Sequence, residues 1–428
     1  MAVQIGLTLL LVFFALLFLK VPISVSLGLS TIITMLIYDI SYKQYANIMF
    51  SNMAKYTMLA VPFFILAGII MDYSGISKRI VNLANLLVGP IPGGIAIISI
   101  IVTTFWGAMS GSGPATVVAL GSILIPGMIN AGYSKGFAAA TIAASAAISV
   151  VIPPSVTLVA YGVVSGSSIG DLFIGGILPG LLMGLSFCVW AFFVSLKRGY
   201  KGDHFGSGKE IWKAFKEAFW GLLSPVIILG GIYGGFVSPT EAAIIAIVYS
   251  LCIGLFVYKD FKLSTIWQIL ASAANSSASI LIIMANAGFL TWLLTTQGVG
   301  TAVTTGILGI SDNPHVIMLL LVFILFIAGF FIDGISSTYI FAPLMLPVIS
   351  ACGYSPLAFG VLMSMCLAVG FTTPPVAVNL YPACQIAKIE IPEISKEIIG
   401  YVLMGLICVV ICVYFPQIIT CLPENLGK

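Results

Sequence analysis

Charge is what this chain has least of. Only 7% of its 428 residues are Asp, Glu, Lys or Arg, against roughly a quarter in an average soluble domain. With 60% hydrophobic residues, no water-soluble fold could hide so much apolar surface. Paired cysteines are missing too. Cys188, Cys252, Cys352, Cys366, Cys384, Cys408, Cys412 and Cys421 stand singly, with no Cys-x-x-Cys, which excludes a disulfide or zinc framework and makes them small apolar packing residues. No glycine-rich loop followed by Lys-Ser/Thr occurs, so ATP hydrolysis by that route is excluded. His204 and His315 lie at segment ends, too isolated for a triad or a metal site. The net charge of +3 says little by itself, and no nucleic-acid partner is expected.

What is abundant is apolar sequence in long runs. Roughly 18–20 apolar residues cross a bilayer core, and such runs recur from Gln4–Leu19 to Gly400–Ile419. The expected fold is therefore an all-α polytopic membrane protein embedded in a lipid bilayer. Gln4–Leu19 has no positive charge ahead of it, and apolar sequence resumes after Lys20, so it reads as a retained first helix, not a signal peptide.

The one clear polar break is Lys197–Lys216, where Lys197, Arg198, Lys201, Lys209, Lys213 and Lys216 outnumber Asp203 and Glu210. Such a basic loop belongs in the cytoplasm. Its second part, Lys209–Phe219, has Ile211, Phe215 and Phe219 four apart with lysines between and reads as an amphipathic helix along the interface. Residues 1–196 and 218–428 then form two halves joined by the linker 197–217.

Shifting the sequence against itself by 221 residues aligns Gly113 with Gly334, Pro126 with Pro347, Gly132-Tyr133-Ser134 with Gly353-Tyr354-Ser355, and Pro153-Pro154 with Pro374-Pro375. The matches fall on residues that punctuate the backbone, which points to a structural duplication. Each half reads as plain helices, a hairpin (about 93–130 and 315–350), a Pro-Pro-broken helix (about 137–164 and 357–387) and a closing helix. Two amphipathic segments, Tyr42–Tyr56 and Asp260–Ala273, occupy matching places as surface arms. A re-entrant hairpin leaves five crossings per half, an odd number that inverts the second half. With the N-terminus outside, Lys20, Lys78, Arg79, Lys135, the linker, Lys259, Lys262, Lys388 and Lys396 fall inside. Only Lys43, Lys55 and Lys428 dissent.

The interruptions are the chemical candidates. Helix does not continue easily through Ser110-Gly111-Ser112-Gly113-Pro114, and unpaired peptide groups at membrane depth must be buried in protein or line a wet cavity. The motif is either a cation site of carbonyl and serine oxygens or a small-residue helix contact. Asp333 opens Asp333-Gly334-Ile335-Ser336-Ser337-Thr338 and is the only acid near the middle of a long apolar segment, without an evident acidic partner. It is a ligand, a helix cap, or both. Each Pro-Pro pair breaks its helix near polar side chains, Ser155 and Thr157 in one half, Thr372, Thr373 and Asn379 in the other. Broken N-termini favour anions and exposed carbonyls favour cations, a plain proline kink being the alternative. Ser238-Pro239-Thr240-Glu241 reads as a helix start.

The segments Pro62–Gly68, Gly107–Ser112, Pro126–Tyr133, Ile152–Ser155, Ser238–Ala243 and Thr372–Pro375 together resemble the large membrane subunit of tripartite ATP-independent periplasmic (TRAP) transporters, within the ion-transporter superfamily. The resemblance implies sodium-driven uptake of an organic acid anion, a dicarboxylate or sialic acid, across the bacterial inner membrane by an elevator motion. It also implies two partners, a small four-helix membrane subunit and a periplasmic substrate-binding protein. Carried over by position, sodium would lie at Ser110, Gly111, Ser112, Gly113 and Pro153 in one half, and at Asp333, Gly334, Ser336, Ser337, Thr372 and Thr373 in the other. The anion would sit between the hairpin tips, against Ser112, Pro154, Ser155, Thr157, Ser337, Thr373 and Asn379. A stand-alone sodium–dicarboxylate symporter is the first alternative. A membrane-embedded enzyme, which needs paired carboxylates or a nucleophile with its base, is the second. The resemblance implies no catalytic residue and no organic cofactor.

Overall fold

The computed structural model describes residues 1–87, 91–200, 206–374 and 377–426. Lys201, Asp203, His204, Pro375 and Lys428 lie outside them. Among the described residues 82% are helical and none forms a strand. That is what a chain in lipid requires, because a helix satisfies its backbone polar groups within its own segment. Eight described helices are long and apolar enough to cross a membrane, among them Ile169–Arg198, Ile266–Thr296 and Ile391–Tyr414.

At the centre lie two helices buried on every side. In Lys135–Ala147 every residue from Gly136 onward is buried, and in Pro356–Gly370 so is every residue from Ala358 onward. A helix apolar all round has no face to give to water, and the alanines of the first let Gly94–Ser110, Gly113–Asn130 and Ile391–Tyr414 close around it. Pro356–Gly370 needs glycine at its end. A Cβ on Gly370 would lie 2.6 Å from the Cα of Gly329. Outer helices instead expose large apolar side chains such as Leu11, Phe18, Val226 and Phe256, the surface that lipid covers.

The two interrupted hairpins open at opposite ends of this bundle. The first consists of Gly94–Ser110 and Gly113–Asn130. At its mouth the Gly93 N–H donates to the Tyr200 carbonyl at 3.2 Å, and the Tyr133 ring lies 4.4 Å from that of Tyr200. Nearby, Arg198 forks onto Glu397 at 3.0 and 2.8 Å. The second hairpin consists of Pro314–Ala328 and Gly334–Ala351. His315 at its mouth stacks on Tyr414 at 5.1 Å, and the Tyr354 hydroxyl, just past it, donates to the Cys412 carbonyl at 3.5 Å. Glu397 and Tyr414 are near the two ends of one helix, Ile391–Tyr414, roughly 26 Å apart at 1.5 Å per residue. Corresponding elements also begin 221 residues apart: Gly113 with Gly334, and Lys135 with Pro356.

Two expectations about surface segments need correcting. Lys209–Phe219 is not a separate interfacial helix. It is the first part of Gly208–Tyr233, one continuous helix started by a Ser207–Glu210 capping box, and Ala214 and Ala218 bury against Leu83. Nothing between Phe219 and Leu222 breaks helix geometry, so the amphipathic stretch runs straight on. Asp260–Ala273 is likewise no free arm. After a short 3-10 turn at Leu263–Thr265, Ile266 begins a 31-residue helix, long enough to cross and still protrude. The matching segment Tyr42–Tyr56 holds the short helix Tyr45–Met53, none of whose residues is buried.

Two measurements check this architecture. In a background without the native cysteines, Lys135→Cys and Asp312→Cys should be labelled by an impermeant reagent from opposite sides of the membrane, because they stand at the two hairpin mouths. Gly370→Ala should destabilise the purified protein by about 1–3 kcal/mol, the cost of overpacking a close crossing. Gly127→Ala, where a Cβ meets nothing within 4 Å, should be neutral or stabilising by up to about 1 kcal/mol.

Candidate functional site

The first tip is shaped by its small residues. Gly94–Ser110 ends at Gly111, whose φ of +61° lies in the left-handed region that glycine enters without strain. A Cβ there would also lie 2.8 Å from the Pro154 carbonyl oxygen. Ser112 is extended, and Gly113–Asn130 starts with Pro114 in its first turn, where proline's missing N–H costs no helix bond. The Ser110 and Thr116 hydroxyls are 2.5 Å apart. The Ser112 side chain makes no cap bond, so the first N–H groups of this helix are left to whatever enters the site.

The second tip is capped. Asp333 Oδ1 accepts from the Ile335 and Ser336 N–H groups, both at 3.0 Å, and Oδ2 accepts from the Ser336 hydroxyl at 2.5 Å. The cap role left open by the sequence is present, and it holds the carboxylate at the tip.

The breaks lie beside the tips. Lys135–Ala147 continues into the turn Ile148–Val150. The chain then passes through Pro153-Pro154, and Val156–Ser165 begins. Ser155 caps that half-helix, accepting from the Leu158 N–H at 3.3 Å and donating to the Val150 carbonyl at 2.6 Å. In the other half, Pro356–Gly370 stops and Leu380–Ala387 resumes, with Pro375 outside the described residues. The Thr372 and Thr373 hydroxyls both donate to the Val369 carbonyl at 2.8 Å. Asn379 Nδ2 donates to the Ala143 carbonyl at 3.1 Å, while its Oδ1 is buried without a partner.

The two halves exchange residues here. Asn379, from the second break, lies against the first tip, where a Cβ on Gly113 would be 2.7 Å from its Oδ1. Thr157, from the first break, lies against the second tip, where a Cβ on Gly334 would be 2.8 Å from its Oγ1. Gly111 against Pro154 and Gly334 against Phe371 are contacts within one half, so each tip is packed by both breaks.

All four segments border one cavity of about 260 Å³. Of the residues singled out in the sequence, Ser110, Gly111, Ser112, Gly113, Thr157, Asp333 and Gly334 line it. Pro153, Pro154, Ser155, Ser336, Ser337, Thr372, Thr373 and Asn379 do not, and Pro153 lines a separate apolar cavity with Ile101 and Leu229. Ser337 Oγ, like Asn379 Oδ1, is a buried oxygen with no partner among the described residues. Among the described residues no lysine or arginine lines the cavity, whereas the starts of three half-helices, at Gly113, Val156 and Gly334, do.

One lining residue escaped the sequence reading. Asp72, in the last turn of Ala60–Tyr73, faces the same cavity as Asp333, so Asp333 is not the only acid in this layer. The signal was an acid closing the apolar run Pro62–Met71, and it looked like the end of a span. Asp72, Pro114 and Ala115 also line an adjoining open groove of about 620 Å³ that reaches Ser77, Lys78 and Ser122, which gives the cavity a route toward the Lys78 end.

The family model of the tripartite ATP-independent periplasmic transporter, DctM component, matches residues 10–418. An isethionate TRAP transporter permease protein DctMQ of Oleidesulfovibrio alaskensis is 40% identical over 400 residues, 93% of this chain and 63% of that protein. The chain thus spans a little under two thirds of that relative. A C4-dicarboxylate TRAP transporter large permease protein DctM of Rhodobacter capsulatus is 36% identical over 431 residues, covering 96% of this chain and 97% of its own. A sialic acid TRAP transporter large permease protein SiaM of Vibrio cholerae is 37% identical over 379 residues, 89% of each. Among solved structures, the Alcanivorax borkumensis YdaH transporter aligns with a TM-score of 0.57 and 16% identity over 88% of this chain and 89% of that one, a likeness of fold.

The cap geometry at the second tip makes a stability prediction. Asp333→Ala should cost about 1 kcal/mol in the unfolding of the purified protein, whereas Asp333→Asn, which keeps an acceptor for both N–H groups, should stay within about 0.5 kcal/mol of the parent.

Proposed function

Because the chain belongs to the tripartite ATP-independent periplasmic transporter family, as its DctM or large-permease component, we propose that it is the subunit that carries a small organic acid anion across the membrane, driven by sodium. It is a multi-pass protein of the bacterial inner membrane, and its relatives are named as permeases, not enzymes. The observation that carries the anion reading is the uncapped half-helix start at Gly113 in a cavity wall with no basic side chain among the described residues. A helix N-terminus bears about half a positive charge; the starts at Val156 and Gly334 are capped by Ser155 and Asp333, whereas the one at Gly113 leaves its first N–H groups free for the solute. Dicarboxylate, isethionate and sialic acid, the solutes named for the relatives, mark the class.

Sodium coupling is supported by buried oxygens beside the tips. Hard cations take oxygen ligands. Asn379 Oδ1 beside the first tip and Ser337 Oγ beside the second are buried with no hydrogen-bond partner among the described residues, a state that costs about 1–3 kcal/mol each unless something binds. We assign one sodium to the first tip with Ser110, Gly111, Ser112, Gly113, Pro153 and, added by the geometry, Asn379. A second goes to Asp333, Gly334, Ser336, Ser337, Thr372 and Thr373. The mouths at opposite ends of the bundle support an inverted duplication, with the tips and broken helices moving together as an elevator. The groove toward Lys78 supports an inward-open form. A small four-helix membrane subunit and a periplasmic binding protein complete the proposed complex.

Sodium entry in excess of anion charge would draw on the membrane potential, roughly 2.3 kcal/mol per charge per 100 mV. Uptake by the full complex in proteoliposomes should therefore rise with both the sodium gradient and an inside-negative potential. Asp333→Asn should raise the sodium concentration for half-maximal uptake about tenfold or more, and the solute requirement less. Uptake that persists unchanged in choline would exclude sodium coupling.

A further inference from the structure

Asp72 is out of place as a structural residue. It lies in the last turn of Ala60–Tyr73, with no basic side chain in that turn, where the negative end of the helix dipole opposes a carboxylate. Its Oδ1 is buried and receives no hydrogen bond among the described residues. Arg79 is engaged with Asp260 at 2.6 Å, and no ion pair joins Asp72 to Lys78 among the described residues. Yet the side chain lines the cavity between the hairpin tips and stands where that cavity meets the groove. A carboxylate oxygen buried without a donor is costly unless an incoming group satisfies it.

The surroundings say what that group is. On its own helix Asp72 is flanked by Ile65, Gly68 and Ile69, the facing helix adds Ile280 and the Ser276 hydroxyl, and the groove brings Ser77 and Ser122. A bare cation needs several oxygens at once, and the tip oxygens of this cavity are the ones assigned to sodium above. A single directed donor needs one acceptor. The uncapped half-helix start at Gly113, which suits an acid group, belongs to another element of the same cavity, so the site has an anion-binding part and a donor-accepting part.

We propose that Asp72 is a specificity residue that accepts a hydrogen bond from a hydroxyl or ammonium group on the solute, so that the favoured substrates are small organic acids bearing a donor besides the acid. This rests on the organic-acid reading above. A bond to a charged acceptor is worth about tenfold to a hundredfold in affinity.

The test is binding to the purified complex of large and small membrane subunits, without the binding protein, which would impose its own selection. The probes are matched pairs, 2-hydroxyethanesulfonate with ethanesulfonate and malate with succinate, at saturating sodium. The parent complex should prefer the hydroxylated member of at least one pair by about tenfold or more. Asp72→Ala, which removes the acceptor, should bring that ratio close to one, leaving the plain acid as tight or tighter. If the alanine variant does not fold, Asp72→Leu provides the same comparison. A parent ratio near one in both pairs, or a ratio unchanged in folded variants, overturns the proposal. Failure of every acid to bind overturns the organic-acid reading itself, and this inference with it.

Discussion

The structure depends on one constraint: a peptide group at membrane depth must be hydrogen-bonded, buried in protein or facing a polar cavity. The chain breaks its helices four times near its centre, at two tips and two prolyl interruptions. Each break frees backbone groups that lipid cannot satisfy, so the four must be gathered out of the lipid. The helices Lys135–Ala147 and Pro356–Gly370, buried from Gly136 and Ala358 onward, run into two of the breaks and bring them to the tips. The cavity is the result.

Satisfaction is not complete, and the shortfall has a pattern. Asp333 meets the start of its half-helix from within the chain, with two N–H groups and one hydroxyl on its carboxylate. The start at Gly113 has no such cap. Among the described residues Asn379 Oδ1, Ser337 Oγ and Asp72 Oδ1 have no partner. Protein interiors pair the great majority of their buried polar groups, and these three stand at or beside the elements that form the cavity, which suits the proposed binding there.

The exchange of Asn379 and Thr157 between halves gives the tips a shared dependence. Neither tip is packed by its own half alone. A rigid unit in which each tip is held by both breaks can carry what it binds without opening between the parts, which suits the proposed movement of the tips and broken helices as one body.

Much of this was legible from residue types. The Gly-Ser-Gly-Pro tip, the Asp333 turn and the proline pairs announce helix interruptions because glycine and proline act on the local backbone. The long apolar runs announce membrane spans because burial in lipid acts on each segment separately. The lengths of the outer helices were less legible. Lys209–Phe219 and Ile266–Ala273 are amphipathic by composition, and only the uninterrupted helices that contain them show that they are the ends of spans. The sequence by itself determined the solvent, the helical class, the four interruptions and most of the residues at the tips. The tertiary structure decided which interruption meets which tip, and that Asp72, an ordinary-looking acid at the end of an apolar run, faces the same cavity as Asp333. The reason is distance along the chain: capping and helix breaking act within a turn or two, whereas Gly113 with Asn379, and Asp72 with Asp333, are brought together only by packing residues separated by more than half the length of the protein.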